Sequence, residues 1–155
     1  MSEFAIRKSG IPLFPDELTE IEWTTLKESY AVGDIIMPCC GAAAIPKTSP
    51  NGLPFFSHHT DECSTSPESV WHVATKELIA RYLTALNIEP YLEKQGGGGT
   101  WKADVHFTHE GRNIAIEVQH SHQTLQDYLT RQKRYELDGV ECYWLLYPKR
   151  YMTLA

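Results

Sequence analysis

The stretch from Thr100 to Gln119, TWKADVHFTHEGRNIAIEVQ, decides the fold. Polar and apolar residues alternate from Thr100 onward, which predicts a β-strand with two different faces. One face carries Trp101, Ala103, Val105 and Phe107, and the other carries Lys102, Asp104 and His106. Glu110-Gly111 is a turn signal, and a second alternating run covers residues 113–119. The stretch therefore predicts an antiparallel hairpin.

A helix is predicted on each side of this hairpin. Upstream, Ser66 and Pro67 begin a helix that runs to about Asn87. Its predicted apolar stripe, which we expect to dock on the sheet, is Val70, Ala74, Leu78, Tyr82 and Leu86. A strand over residues 88–94 and a flexible glycine run over residues 95–99 follow that helix. Downstream, the pair Thr124 and Asp127 resembles a capping box and starts a helix that Gly139 stops.

The last predicted element is a strand over residues 140–147, continuously apolar apart from Glu141 and therefore buried on both faces. The core order is helix, strand, strand, strand, helix, strand. We divide the chain into an N-terminal helical segment (1–35), a Cys/His-rich segment (36–66) and a core (67–155). In the first segment a helix is predicted over residues 16–30. Its apolar stripe is Leu18, Ile21, Thr25 and Leu26. Asn51-Gly52 predicts a hairpin turn in the second segment.

Composition limits the function classes. The chain has 155 residues, enough for one domain with a small appendage and a real core. Its net charge is −6, so it is no polycation, and contact with nucleic acid requires a local basic patch. The sequence lacks both an 18-residue apolar run and the apolar stretch of a signal peptide, so we expect a cytoplasmic protein with no membrane partner.

Asp104, Glu117 and Gln119 are the first candidate site. Glu117 and Gln119 share one face of a strand, and the hairpin turn brings Asp104 to the adjacent strand. Two converging carboxylates beside a polar residue suit a hard cation such as Mg²⁺ or Mn²⁺. The alternative is a solvated sheet face without a ligand, which is the more common meaning of such a short motif alone.

Glu68, His72 and Lys76 follow one another at intervals of four on the upstream helix, so they share one polar stripe. His72 is a candidate third metal ligand, and Lys76 is a candidate group for orienting a phosphate or a water. The alternative is an ordinary solvated helix face.

Taken together, these motifs resemble the core of PD-(D/E)XK nucleases, and more closely the branch of the competence protein CoiA. The residues that carry the resemblance are Met37-Pro38-Cys39-Cys40-Gly41, Phe55-Phe56-Ser57-His58, Cys63, Glu68, His72, Lys76, Ala103-Asp104-Val105, Glu117-Val118-Gln119, Ser121, Arg131-Gln132, Tyr135 and Trp144-Leu145. The resemblance implies an α/β, restriction-endonuclease-like core with a mixed central sheet flanked by helices. It implies a small zinc-ribbon-like Cys/His appendage before that core.

The resemblance also implies roles. Asp104 and Glu117 would bind the catalytic Mg²⁺ or Mn²⁺, and His72 would join the metal shell. Gln119 occupies the usual lysine position of the motif. Arg131, Gln132 and Tyr135 would contact backbone phosphate or brace the site, and Lys102 is a further candidate for contact with DNA. Because glutamine carries no charge, positive charge for the transition state must come from the metal, Lys76, Lys102 or Arg131.

The Cys/His-rich segment is the second candidate site. Cys39 or Cys40, His58 or His59, and Cys63 are ligands suited to tetrahedral Zn²⁺. Adjacent cysteines point in different directions, so both bind one ion only if the turn between them is distorted. The alternative is buried thiols with surface histidines.

These observations predict a metal-dependent nuclease that hydrolyses phosphodiester bonds in DNA, with structural zinc. The alternative is a nuclease-fold protein that binds DNA or a protein partner without cleaving, since Gln119 and the acidic charge balance both weaken the case for catalysis. DNA is the expected partner, and a second copy of the chain or another protein is a further candidate. A role in competence would be analogy with the family.

Overall fold

The computed structural model describes residues 4–59 and 67–148, with the backbone alone for residues 67–69. The chain divides into two compact units, residues 1–66 and residues 67–155. Among the described residues, no helix combines the length and the apolar character needed to cross a membrane.

The described part of the N-terminal unit contains five short strands and one α-helix. Its elements are β1 (Ala5–Arg7), β2 (Pro12–Leu13), α1 (Glu20–Ser29), β3 (Ile35–Ile36), β4 (Ala44–Thr48) and β5 (Pro54–His58). Antiparallel pairing gives a three-stranded sheet in the order β2-β1-β3 and a separate β4–β5 hairpin. The hairpin loop contains Asn51-Gly52, as predicted, and Gly52 has a φ of 82° that suits glycine.

Helix α1 begins later than predicted and buries a different residue. A 3-10 turn occupies Pro15–Glu17, and the helix starts at Glu20 behind a capping box between Thr19 and Glu22. Trp23 is buried, whereas Ile21 of the predicted stripe is 81% exposed. The predicted stripe is wrong at Ile21, because burying the larger tryptophan removes more apolar surface from water.

The hydrophobic core of the N-terminal unit contains residues from both predicted segments, 1–35 and 36–66. Trp23 packs with Met37, Ala44 and Phe56, and its ring meets that of Phe56 edge-on at 5.2 Å between centroids. Residues of segments 1–35 and 36–66 therefore share one core and belong to one unit.

One four-stranded sheet with two helices makes up the described part of the C-terminal unit. Its elements are α2 (Pro67–Ala85), β6 (Tyr91–Gln95), β7 (Lys102–His109), β8 (Arg112–Gln119), α3 (Leu125–Leu137) and β9 (Val140–Leu146). Strand order is β6-β7-β8-β9, with antiparallel pairs up to β8 and a parallel β8–β9 pair. The predicted α/β class, with a mixed sheet and a Cys/His group before it, is confirmed.

Local sequence explains the strand–helix–strand connection after the hairpin. Glu110 and Gly111 both have positive φ, as a two-residue hairpin turn requires. Thr124 and Asp127 form the predicted capping box of α3, and Gly139 follows the helix with a φ of 69°. A helical connection of this kind lets β9 lie parallel to β8.

Small residues let α3 approach the sheet closely. Ala103 on β7 and Ala115 on β8 are fully buried against Tyr135 of α3. Trp101 and Trp144, which are both partly buried, pack against the same cluster. This packing holds α3 against β7 and β8.

Helix α2 turns a different face to the sheet from the one predicted. Four members of the predicted apolar stripe, Val70, Leu78, Tyr82 and Leu86, are 53–70% exposed. Lys76, Ala80 and Leu83 are buried instead. The prediction is wrong because it ignores polar partners, and the sheet supplies a carboxylate for Lys76. This orientation brings His72 and Lys76 of the polar stripe to the sheet.

Candidate functional site

The site begins where the β7–β8 ladder ends. Regular pairing extends to Val105 opposite Ile116. Beyond that pair the backbone N–H of Val118 donates to Oδ2 of Asp104, at 2.8 Å. A side chain thus takes the place of a backbone acceptor, which fixes the Asp104 carboxylate beside Glu117.

A cleft of about 520 Å³ opens at this end of the sheet. Its lining residues are His72, Glu93, Lys102, Asp104, Glu117, Val118, Gln119, His120, Ser121, Gln123 and Arg131. Six of the predicted site residues therefore lie together in one cavity: His72, Lys102, Asp104, Glu117, Gln119 and Arg131. Glu68 belongs to the first turn of α2, and its side chain lies outside the described residues.

Asp104 is held from α2 as well as from β8. Nε2 of His72 lies 3.3 Å from Oδ2 of Asp104. Burial alone would raise the pKa of Asp104, but the hydrogen bond and charge of His72 and the Val118 N–H outweigh it and leave that pKa below its usual value. Asp104 is therefore the ionised carboxylate of the pair at neutral pH.

Glu117 is held from α3. The Tyr135 hydroxyl donates to Oε1 of Glu117, and Nη2 of Arg131 donates to Oε2 at 3.1 Å. Burial and then repulsion by Asp104 raise the pKa of Glu117 to about 8, against the opposing effects of Tyr135 and Arg131. Two neighbouring carboxyl groups thus differ sharply in their affinity for a proton.

Gln119 is held by both of its amide atoms. Its Nε2 donates to the carbonyl and the hydroxyl of Ser121, at 3.1 and 2.7 Å. Its Oε1 accepts from Nη1 of Arg131 at 3.1 Å, and the same nitrogen donates to Gln123. The guanidinium of Arg131 lies 4.7 Å above the ring of Trp144. Arg131 therefore brings a fixed positive charge next to Gln119.

Two lysines and a glutamate occupy the other side of the site. Lys102 lines the cleft and is 55% exposed at its side chain. Lys76 is buried, does not line the cleft, and pairs with Glu93. Glu93 lines the cleft as well, although it is absent from the residues predicted for the site. No local sequence pattern marks it, because the β6–β7 register that sets it opposite Asp104 is known only from the structure.

Gln132 and Tyr135 of α3 do not line the cleft. Gln132 accepts from the indole N–H of Trp144 at 2.8 Å and donates to the backbone carbonyl of Cys142. Tyr135 is 2% exposed and donates to Glu117. The two roles predicted for these residues are phosphate contact and bracing of the site. The contacts that both residues make are those of bracing.

The donors of the cleft fit a hard divalent cation. Two carboxylates and an imidazole are ligands that Mg²⁺ and Mn²⁺ accept, and the raised pKa of Glu117 marks a place where a cation would relieve repulsion. In the part of the chain that the structure describes, however, the ligand atoms of His72, Asp104 and Glu117 are not gathered within 4.8 Å of one another. Within this set, Nε2 of His72 and Oδ2 of Asp104 do lie close together, at 3.3 Å.

The Cys/His cluster of the N-terminal unit, which consists of Cys39, Cys40 and His58, is gathered that closely. The two sulfurs lie 3.8 Å apart, and Nε2 of His58 lies 3.1 Å from Sγ of Cys39. In a tetrahedron with Zn–S bonds of about 2.3 Å, two sulfurs are separated by about 3.8 Å. The donor set therefore fits zinc.

A tight turn resolves the difficulty of adjacent cysteines. The N–H of Gly41 donates to the carbonyl of Met37 at 2.9 Å, and Gly41 has a φ of 73°. This turn sets both sulfurs on one side, next to His58 at the end of β5. His59 is not part of the cluster, and Cys63 lies outside the described residues.

Comparison with known proteins points to one family. Residues 68–154 match the model of the family described as competence protein CoiA, nuclease-like domain. This match covers more than half of the chain and includes every residue of the cleft. No curated protein and no solved structure matches the chain.

Proposed function

We propose that this chain, which belongs to the family of the competence protein CoiA nuclease-like domain, is a metal-dependent nuclease that hydrolyses phosphodiester bonds in DNA. The observation that carries the proposal is the pairing of Asp104 with Glu117 in one cleft that Lys102 and Arg131 also line. Carboxylates suit a divalent cation, and flanking cations suit the phosphates of a nucleic acid.

Asp104 and Glu117, with His72, would hold Mg²⁺ or Mn²⁺. When bound there, such an ion would polarise a phosphodiester and lower the pKa of an attacking water. Hydrogen bonds and ion pairs from other protein groups orient both carboxylates. The Val118 N–H and His72 fix Asp104, and Tyr135 and Arg131 fix Glu117. Oriented ligands of this kind raise metal affinity and activity.

Arg131 is the group that we propose to compensate for a glutamine at the usual lysine position. Its guanidinium reaches both Gln119 and Glu117, and it is about 29% exposed at its side chain. A guanidinium fixed before substrate arrives can stabilise charge on a phosphoryl oxygen. Lys76 is less suited to this role because it is buried and paired with Glu93.

A second candidate function is DNA binding without cleavage. It is favoured by the contacts of Glu117, whose carboxylate already has a phenol and a guanidinium as partners. A metal would have to compete with those partners and with the proton that the raised pKa favours.

Cleavage assays decide between the two functions. Purified protein would be incubated with linear, circular and single-stranded DNA, each with Mg²⁺, with Mn²⁺ and with chelator. Metal-dependent cleavage that Asp104→Asn removes supports the nuclease. DNA binding with no cleavage of any substrate in either metal supports the second function instead.

For the N-terminal unit we propose a structural zinc site. Cys39, Cys40 and His58 supply three ligands within 4.8 Å of one another, and Cys63 is the proposed fourth. A zinc ion bound there would add cohesion to a unit whose strands are only two to five residues long.

A further inference from the structure

Strand β6 contains an unusual backbone conformation at Glu93, whose φ is 56°. Two other non-glycine residues in the described ranges share a positive φ, Asn87 and Glu110. Asn87 follows the end of α2 and Glu110 lies in a hairpin turn, where left-handed residues are common. Glu93 alone of the three lies inside a strand, where such a conformation is strained for a residue with a side chain.

The strain coincides with a break in strand pairing beside the cleft. Leu92 pairs with Val105, and Lys94 pairs with Ala103. The position between them sets Glu93 opposite Asp104. Because Glu93 lines the cleft, the left-handed turn of the backbone delivers its carboxylate to the same cavity as Asp104.

The two oxygens of the Glu93 carboxylate contact two different lysines. Oε1 pairs with Lys76, whose side chain is only 3% exposed, and Oε2 lies 3.2 Å from Nζ of Lys102. Lys76 comes from the buried face of α2 and anchors Glu93. Lys102 is 55% exposed at its side chain and stands at the cleft. One oxygen of Glu93 contacts each lysine, so the single negative charge of the carboxylate is shared between Lys76 and Lys102.

We propose that Glu93 is a positioning residue of the cleft, which holds the Lys102 ammonium beside Asp104 where it meets a phosphate of the DNA. This proposal rests on the proposed function only in taking DNA as the ligand of the cleft. A free lysine side chain loses rotamer freedom when it binds a phosphate. Glu93 removes that freedom in advance, so more of the lysine–phosphate attraction appears as affinity.

The test is a double-mutant cycle on DNA affinity. Binding of one short DNA, as duplex and as single strand, is measured without added Mg²⁺ or Mn²⁺ at several salt concentrations. The proteins are the unaltered chain, Lys102→Ala, Glu93→Gln and the double variant. Loss of the negative charge of Glu93 itself favours DNA binding, whether or not Lys102 is present. This effect therefore cancels when the loss caused by Lys102→Ala is compared between the unaltered and Glu93→Gln backgrounds.

We expect Lys102→Ala to weaken binding and to lower the slope of log affinity against log salt by about one in the unaltered background. In the Glu93→Gln background the same substitution should lower that slope by roughly half as much or less. An equal effect in the two backgrounds overturns the proposal. A larger effect in the Glu93→Gln background also overturns it, because Glu93 would then be competing with phosphate for Lys102.

A second variant separates positioning from stability. Glu93→Gln alone leaves Lys76 buried without its carboxylate, which destabilises the fold. The variant Glu93→Gln/Lys76→Met removes both charges and should recover the melting temperature of the unaltered chain. Adding Lys102→Ala to this variant should still cause only the reduced loss of DNA affinity seen in the Glu93→Gln background. If the Lys102 effect returns together with stability, Glu93 acts only by neutralising Lys76, and the proposal is overturned.

The outcomes also separate this proposal from the nuclease itself. Absence of cleavage in Mg²⁺ and Mn²⁺ overturns the proposed catalysis, while a reduced Lys102 effect in the Glu93→Gln background still supports positioning. An unaltered protein that binds neither form of the DNA overturns both.

Discussion

The cleft of the C-terminal unit and the Cys/His cluster of the N-terminal unit assemble their ligand atoms in different ways. In the cluster, two sulfurs and an imidazole nitrogen already lie within 4.8 Å of one another. In the cleft, Asp104 and Glu117 each have protein partners, His72 on one side and Tyr135 with Arg131 on the other. Two neighbouring carboxylates repel one another when both are ionised, so each needs such partners.

This difference predicts different responses to metal. The cluster resembles a site that a metal enters with little rearrangement, as expected for a structural role. The cleft must exchange protein contacts and the proton of Glu117 for the metal, so its affinity should be weaker and should rise as pH rises toward 8. The following predictions test that contrast.

The largest effect should come from Asp104→Asn, because it removes a proposed metal ligand. Loss of a metal's contribution of several kcal/mol to the transition state corresponds to at least about a 10³-fold loss of cleavage. Single-turnover cleavage measures it, and Glu110→Gln in the exposed hairpin turn is the matched control. Cleavage by Asp104→Asn at the control rate would contradict the assignment of the cleft.

The second prediction concerns zinc in the other unit. The purified chain should contain about one equivalent of zinc, and Cys39→Ser or Cys40→Ser should lose most of it. Cys142→Ser is the control, since burial raises the pKa of that thiol to about 12 and it lies in the other unit. Elemental analysis of protein never exposed to chelator decides the matter, and an absence of zinc returns the cysteines to ordinary buried thiols.

The third prediction concerns Gln119 and Arg131. Gln119→Ala should lower cleavage about 10- to 100-fold, less than Asp104→Asn, because it removes a positioning contact and leaves the carboxylates. Combined with Arg131→Ala, it should add little to the loss of Arg131→Ala alone, since the two side chains are hydrogen-bonded. Losses that multiply in single-turnover measurements would show that the two residues act separately.

How far the sequence predicts the molecule depends on whether the deciding interaction is local. The hairpin turn at Glu110-Gly111 and the capping box of Thr124 with Asp127 are set by residues close in sequence, and both were predicted. The buried face of α2 was not, because Lys76 is buried by a partner on β6 that lies 17 residues away. Apolar periodicity contains no information about such a partner.

Which residues of the site can be predicted also depends on whether the deciding interaction is local in sequence. The convergence of Asp104 with Glu117 follows from strand alternation and a turn, so the pattern predicts it. Glu93 enters the cleft through a left-handed residue inside a strand, which no propensity indicates. Cys39 and Cys40 share one side because a turn closed by Gly41 reorients them, whereas an extended pair would diverge.

The smallest expected effect is a change of several degrees in melting temperature with pH, and it bears directly on the proton that the cleft holds. In the folded protein the pKa of Glu117 is raised to about 8, above its ordinary 4.5. The carboxyl's contribution to stability is therefore complete below pH 4.5 and is lost as pH rises toward 8. Without Mg²⁺ or Mn²⁺ the melting temperature should fall as pH rises across that range. Added Mg²⁺ should raise the melting temperature more at pH 8 than at pH 6, because at pH 8 Glu117 is protonated in fewer molecules and the metal has fewer protons to displace.

Glu117→Gln is the control, because it keeps the shape of the side chain without its titration. The melting temperature of this variant should fall less over the same pH range. Equal pH dependence in the two proteins would show that the proton resides elsewhere, and that the two carboxyl groups of the cleft are not poised for a metal in the way their contacts indicate.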